Sequence, residues 1–139
     1  SSAASDVYKR QSWKSSESYA RMNHMIEKFG IDGIALPTVI VASSDEQAVG
    51  VVRSLYEHGL KIPSDISVVG FGDIPAISDF FPPLTTVSLD MQQLGSLAVR
   101  EALRLMNHGP EPAFPDMSHG VGQIPASLKL RSSIGAVLR

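Results

Sequence analysis

The sequence predicts an α/β fold, a mostly parallel sheet flanked by helices, and three observations carry that expectation. Short runs rich in β-branched residues alternate with amphipathic stretches of helical period along the chain. The apolar runs are near-continuous, as in strands covered on both faces. The run 62–90 (IPSDISVVGFGDIPAISDFFPPLTTVSLD) joins a proline-marked start, a buried strand, a glycine-broken bend and a second strand entered through Pro82-Pro83. Ligands in such sheets sit beyond the carboxyl ends of the strands, so the bend at Gly70–Gly72 is the first candidate for a binding site.

The elements follow in order. Over 15–29, Tyr19, Met22, Met25, Ile26 and Phe29 recur at three- and four-residue steps, which predicts a helix capped by Ser15 or Ser16 and stopped at Gly30. Residues 38–43 (TVIVAS) read as a buried strand. Ser44-Asp45 then caps a helix to about His58, striped by Ala48, Val49, Val52, Leu55 and Tyr56 and stopped by Gly59. Residues 66–71 and 84–89 are the next two strands. A helix over 91–107 has apolar residues (Leu94, Leu97, Ala98, Ala102, Leu103, Leu105, Met106) wrapped so widely that it calls for more than one neighbour. Residues 109–125, rich in glycine and proline, read as a loop, and 126–131 (ASLKLR) alternates like an edge strand. The order opens on a helix with no strand before it, as a doubly wound unit missing its beginning would. The polar, aperiodic residues 1–11 read as a leader foreign to the fold, of translated-adapter or disordered-tail character.

Composition narrows the function classes. The 139 residues are 43% hydrophobic and 19% charged, in the range of one globular domain or part of one. A net charge of −2 gives no electrostatic advertisement for nucleic acid or a membrane surface. Without cysteine there is neither a disulfide framework nor thiolate chemistry. No apolar run approaches a membrane span and no signal peptide is visible, which points to the cytoplasm. His24, His58, His108 and His119 lack metal-ligand spacing, so no metal site is expected. No Gly-x-Ser-x-Gly elbow and no carboxylate pair argues for catalysis, and the chain reads as a non-enzyme. Gly70-Phe71-Gly72 does not continue as a dinucleotide fingerprint, because Pro75 stands at the next required glycine. No cofactor is expected. Ser43-Ser44-Asp45 joins a strand end to a helix start, where free N–H groups face the crevice; capping and ligand contact are both open to it. Trp13, the only tryptophan, is equally suited to a core or to stacking on a sugar ring.

Taken together, PTVIVASSDEQAVG (37–50), GLKIPSDISVVGFG (59–72), PPLTTV (82–87), Leu94-Gly95 and ASLKLRSSI (126–134) resemble the lactose-repressor/galactose-repressor (LacI/GalR) family of bacterial transcription regulators, in register from about Trp13 to Ile134. The resemblance implies a type I periplasmic-binding-protein-like fold, present here as the C-terminal subdomain of an N-terminally truncated regulator. It divides the chain into that effector-binding subdomain at 12–90, a helix and loop of the N-terminal subdomain at 91–124, and the closing strand and tail at 125–139. It also implies a sugar-responsive repressor whose operator contacts reside in a helix-turn-helix that this sequence does not contain. The rival is a solute-binding protein of a sugar transport system, sharing the fold; an upstream helix-turn-helix or signal peptide would separate the two.

By the same resemblance, the effector contacts fall on Trp13, Ser44, Asp45, Gly72, Asp73 and Met91. Gly72 stands where the family usually has a sugar-binding aspartate. Loss of that carboxylate leaves fewer bonds to sugar hydroxyls, or removes a charge that would repel an acidic ligand, so a sugar acid is the expected effector. A homodimer is implied through Lys14, Ser18, Val49, Val52 and Arg53, and through Ala76, Phe80 and Phe81 of the loop after the bend. The aromatic pair there reads either as an exposed interface patch or as cover for the core.

Overall fold

A computed structural model describes residues 14–32, 35–106, 114, 116–118 and 121–136. Helix α1 spans Ser15–Asp32, followed by β1 (Val39–Val41), α2 (Asp45–Glu57), β2 (Ser67–Phe71), a 3-10 turn (Pro75–Ile77), β3 (Thr85–Leu89) and α3 (Met91–Met106). The short strands β4 (Asp116–Ser118) and β5 (Val121–Gln123) precede the closing strand β6 (Ala126–Lys129). The main sheet runs β1-β2-β3-β6; the first three strands are parallel and β6 is antiparallel to β3. This is the mostly parallel α/β architecture expected from the alternation of periods.

Helix α2 forms where its local signals are strongest. Ser44, extended at φ −152°, ψ 159°, accepts a 3.2 Å hydrogen bond from the Gln47 N–H at the first turn. Asp45 and Glu46 place negative charge at the positive end of the helix. At the other end Gly59 adopts φ 73°; its N–H donates to Tyr56 O and the Leu60 N–H to Leu55 O, closing the helix in a Schellman motif. Ala48, Val52 and Leu55 of α2 meet Ile66, Val68, Ile77 and Leu84 in the core, and Met22 of α1 joins them. Helices α1 and α2 cross closely at Gly50, where a Cβ would lie 2.0 Å from Ser15 O and 2.2 Å from Ser18 Oγ. Only glycine fits there.

Several expectations need correction. Ser15 and Ser16 lie inside α1, and the Glu17 and Ser18 N–H groups donate to Lys14 O; Gly30 does not stop α1, which runs on to Asp32. Strand β1 is covered on one face only. It is the edge of the sheet, with Val39 49% and Val41 71% exposed. Residues 109–125 are not all loop, because β4 and β5 pair as an antiparallel ladder. Phe114 lies so close to Gly122 in that ladder that a Cβ there would meet its ring at 2.4 Å.

The two faces of the sheet differ. Side chains alternate along each strand, and Ile40, Ala42 and Val68 point to the face that joins the α1–α2 core. The register partners Phe71, Val87 and Leu128 share the opposite face, where Phe71 and Leu128 are exposed. Helix α3, capped by Asp90 Oδ1 accepting from Gln93 N at 2.8 Å, buries only Leu97 among its described residues, while Val99, Leu103, Leu105 and Met106 are exposed.

Ser133 locks the closing segment into the sheet. Its hydroxyl donates to Val68 O at 2.6 Å and accepts from Thr85 N at 2.8 Å; its own carbonyl accepts from Val68 N and its N–H donates to Pro83 O. The side chain is fully buried, so removing the hydroxyl strands a backbone donor and an acceptor away from water. Ser133→Ala should therefore lower the unfolding free energy by about 1–3 kcal/mol. Urea unfolding followed by circular dichroism reads this, and an unchanged midpoint would contradict the clasp.

Candidate ligand-binding site

Strands β1 and β2 are adjacent and parallel, so their carboxyl ends open side by side: Ser43-Ser44 beyond β1, and Gly72-Asp73 beyond β2. The residue joining them is Asp45. Its Oδ2 accepts from the Ile74 N–H at 2.9 Å and its Oδ1 from the Thr86 hydroxyl at 2.6 Å. One carboxylate thus ties the start of α2 to the bend after β2 and to the middle of β3. Gly70 makes room for it, since a Cβ there would stand 2.2 Å from Asp45 Oδ1.

The bend itself needs unusual backbone. Gly72 has φ 126° and Asp73 has φ 55°, the left-handed region that costs a non-glycine residue free energy. Two contacts hold it. The Gly72 N–H donates to Val87 O at 2.8 Å, and Asp73 Oδ1 accepts from Arg131 Nη2 at 2.7 Å. Arg131 also donates from Nη1 to Leu84 O at 2.8 Å. Arg131 holds the Asp73 carboxyl below its ordinary range, with burial opposing and a hydrogen bond from Ser88 assisting.

The expected ligand contacts divide on this geometry. Ser44, Gly72 and Asp73 lie at one mouth. Ser44 is also the helix cap, while Ser43 is exposed, its hydroxyl donating to Gln47 Oε1 at 2.6 Å. Asp45 is displaced from the role the resemblance gave it: it is 1% exposed with both oxygens bonded inside, and holds the mouth together rather than facing it. Met91 follows β3 on the same edge of the sheet and is 62% exposed. Trp13 lies outside the described residues, as do His108 and His119. Sequence reasoning missed Thr86 and Arg131. Both act across more than forty residues of chain, and the only local hint was a lone arginine ending an otherwise alternating strand. A separate cleft of about 300 Å³ opens between α1, β1 and α2, lined by Met22, Met25, Ile40 and Val51 and touching the mouth only through Ser43. Among the described residues no cluster of His, Cys, Asp or Glu is disposed to hold a metal, and no helix is long and apolar enough to cross a membrane.

The surface expected to dimerise is also sorted. Val52 is 1% exposed and belongs to the core, so it cannot meet a partner; the helical stripe that includes it faces the sheet. Phe80 packs against the core, whereas Phe81 is 79% exposed and stacks on Tyr56, ring centroids 6.5 Å apart. Arg53 lies 4.6 Å over the Tyr19 ring and pairs with Glu57, which also accepts from the Tyr19 hydroxyl. Ala76 and Lys14 are exposed, Val49 is half-buried against the core, and Ser18 is half-buried with its hydroxyl donating to Ser15 O.

The Asp73 pair gives a pH dependence. Its folded pKa is lower than its unfolded one, so the unfolded chain binds the extra proton and stability rises with pH across that window. The contribution is present above the ordinary Asp value of about 3.9 and lost as pH falls through the lowered value. Asp73→Asn should be less stable than the parent at neutral pH, and the gap should close in strong acid. Urea unfolding at both conditions checks this; a gap independent of pH would contradict it.

Comparison with known proteins places this geometry in a lineage. The family model of the periplasmic binding protein-like domain matches residues 3–134. The HTH-type transcriptional repressor PurR of Glaesserella parasuis serovar 5 (strain SH0165) is 32% identical over 117 residues, covering 84% of this chain and 33% of that protein. A dimeric Lac repressor with an 11-residue C-terminal deletion superposes with a TM-score of 0.77 at 30% identity, over 91% of this chain and 42% of that one. The Lac repressor dimer bound to operator and the anti-inducer ONPF gives 0.76 at 31%, over 89% and 39%. The chain therefore spans about a third of the length of that curated relative. These relatives are transcriptional repressors rather than enzymes. The chain belongs to the periplasmic-binding-protein-like family, in the form carried by repressors of the LacI type.

Proposed function

We propose that this chain is the effector-sensing and dimerising part of a sugar-responsive DNA-binding repressor, and that its effector is a sugar acid. The observation that carries the reading is the mouth: two parallel strands end side by side, and Gly72 offers a bare backbone where a carboxylate would repel an anion. The two acids that touch the bend do not restore that repulsion. Asp45 is sealed inside, and Asp73 is paired with Arg131. Ser44, the backbone of Gly72 and Asp73, Met91 and Trp13 are the ligand contacts on this reading.

The remaining parts fit the same scheme. Helix α3 and the segment after it (91–124), which carries β4 and β5, belong to a second subdomain, and the exposed Val99, Leu103, Leu105 and Met106 support that reading. Phe81, Tyr56, Arg53 and Ala76 form the patch that pairs two copies. Ligand at the mouth shifts the balance between two arrangements of the subdomains, and so changes operator affinity at a helix-turn-helix outside this sequence. Cytoplasmic residence follows from that role. The relatives are repressors, so delivery of solute to a transporter is the weaker alternative.

Amide NMR titration of the 139-residue chain with D-gluconate and with D-glucose tests the ligand class. The expected outcome is gluconate-dependent shifts at Ser44, Gly72 and Asp73, with weaker binding of glucose. Tighter binding of the neutral sugar at the same amides would overturn the sugar-acid reading.

A further inference from the structure

We propose that Arg131 is a positioning residue that sets the charge preference of the mouth: by pairing with Asp73 it removes the last repulsive carboxylate from the bend and so admits an anionic ligand. This rests on the sugar-acid reading of the mouth and adds to it the residue that makes that reading work.

The geometry singles out Arg131 on three counts. It comes from beyond β6, the strand that closes the sheet, yet its side chain crosses to the bend after β2. Its two terminal nitrogens divide between Asp73 Oδ1 at 2.7 Å and Leu84 O at 2.8 Å, so the fork is fixed at both tines. Its backbone is anchored as well: the Arg131 N–H donates to Thr85 Oγ1 at 2.9 Å, and that hydroxyl donates back to Arg131 O at 3.2 Å. Arg131 is therefore held in place before any ligand arrives, which preorganises the site.

Charge accounting at the bend follows. Gly72 contributes none. Asp73 contributes one negative charge, facing the guanidinium of Arg131, with Lys129 adding positive potential and Ser88 a hydrogen bond. Both side chains of the ion pair are 21% exposed, so water screens the pair only in part. Without Arg131, the bend would carry an uncompensated Asp73 carboxylate, which penalises an anion bound beside it.

The test is the ratio of D-gluconate to D-glucose affinity, measured by NMR titration of the 139-residue chain. Arg131→Met should lower that ratio by about fivefold, the scale of a partly exposed charge pair. Arg131→Lys should keep it, because the charge remains. Adding Asp73→Asn to Arg131→Met should restore it, because the exposed acid is gone. A purely structural role would weaken both sugars alike, so an unchanged ratio in Arg131→Met, or no recovery in the double variant, overturns the proposal. Should Arg131→Met lack a cooperative unfolding transition, Asp73→Asn alone decides: leaving Arg131 uncompensated should raise the ratio by about fivefold, and an unchanged ratio overturns the proposal. A parent chain that binds neither sugar, or prefers glucose, overturns the sugar-acid reading and this inference together. A parent preference for gluconate that no variant disturbs overturns this inference alone.

Discussion

The fold around the mouth depends on one buried carboxylate. Asp45 is the first residue of α2, and its two oxygens are bonded to the backbone of the bend and to the hydroxyl of Thr86. Three consecutive pieces of the α/β unit, the β1–α2 junction, the β2 bend and β3, therefore share one acceptor group. A carboxylate taken out of water needs such partners, and these are supplied from 29 and 41 residues away. Gly70 is the consequence in the sequence: any side chain there would occupy the space of Asp45 Oδ1.

The opposite end of the same sheet is fixed by the same principle with different groups. Ser133 supplies a hydroxyl, an N–H and a carbonyl to the starts of β2 and β3, at and just before their first register pair, Val69 with Thr85. Arg131, two residues earlier, reaches back to the bend. The closing segment thus touches both ends of the central strands. That arrangement makes β6, an exposed strand at the edge of the sheet, lead into the brace of the binding mouth.

Legibility in the sequence followed the range of the interaction. Helix α2 was readable from end to end because its signals are local: a serine cap, acids in the first turn and a glycine stop all lie on or beside it. Strands β2 and β3 were readable from β-branched runs. The edge position of β1 was not, since an apolar Val-Ile-Val run looks the same whether one face or two are covered, and strand order is set by distant pairing. Gly30 misled for a related reason: glycine permits a left-handed stop without requiring one. Val52 was read correctly by its helical stripe, and it was the resemblance that assigned it to a dimer surface it does not reach. For the site, the bend at Gly72 was visible as a glycine pair after a strand, while the inward turn of Asp45 and the reach of Arg131 depend on tertiary contacts that no window of sequence contains. Trp13 lies outside the described residues and its place in the site rests on resemblance alone.

The direct test of this account is a double-mutant cycle on Asp45→Ala and Thr86→Val, read as unfolding free energies from urea titrations. The shared hydrogen bond predicts a coupling of about 1–2 kcal/mol between the two sites, with the double variant losing less than the sum of the singles. Simple additivity would contradict it, for then the buried carboxylate would not be the tie that brings the strand ends to a common mouth.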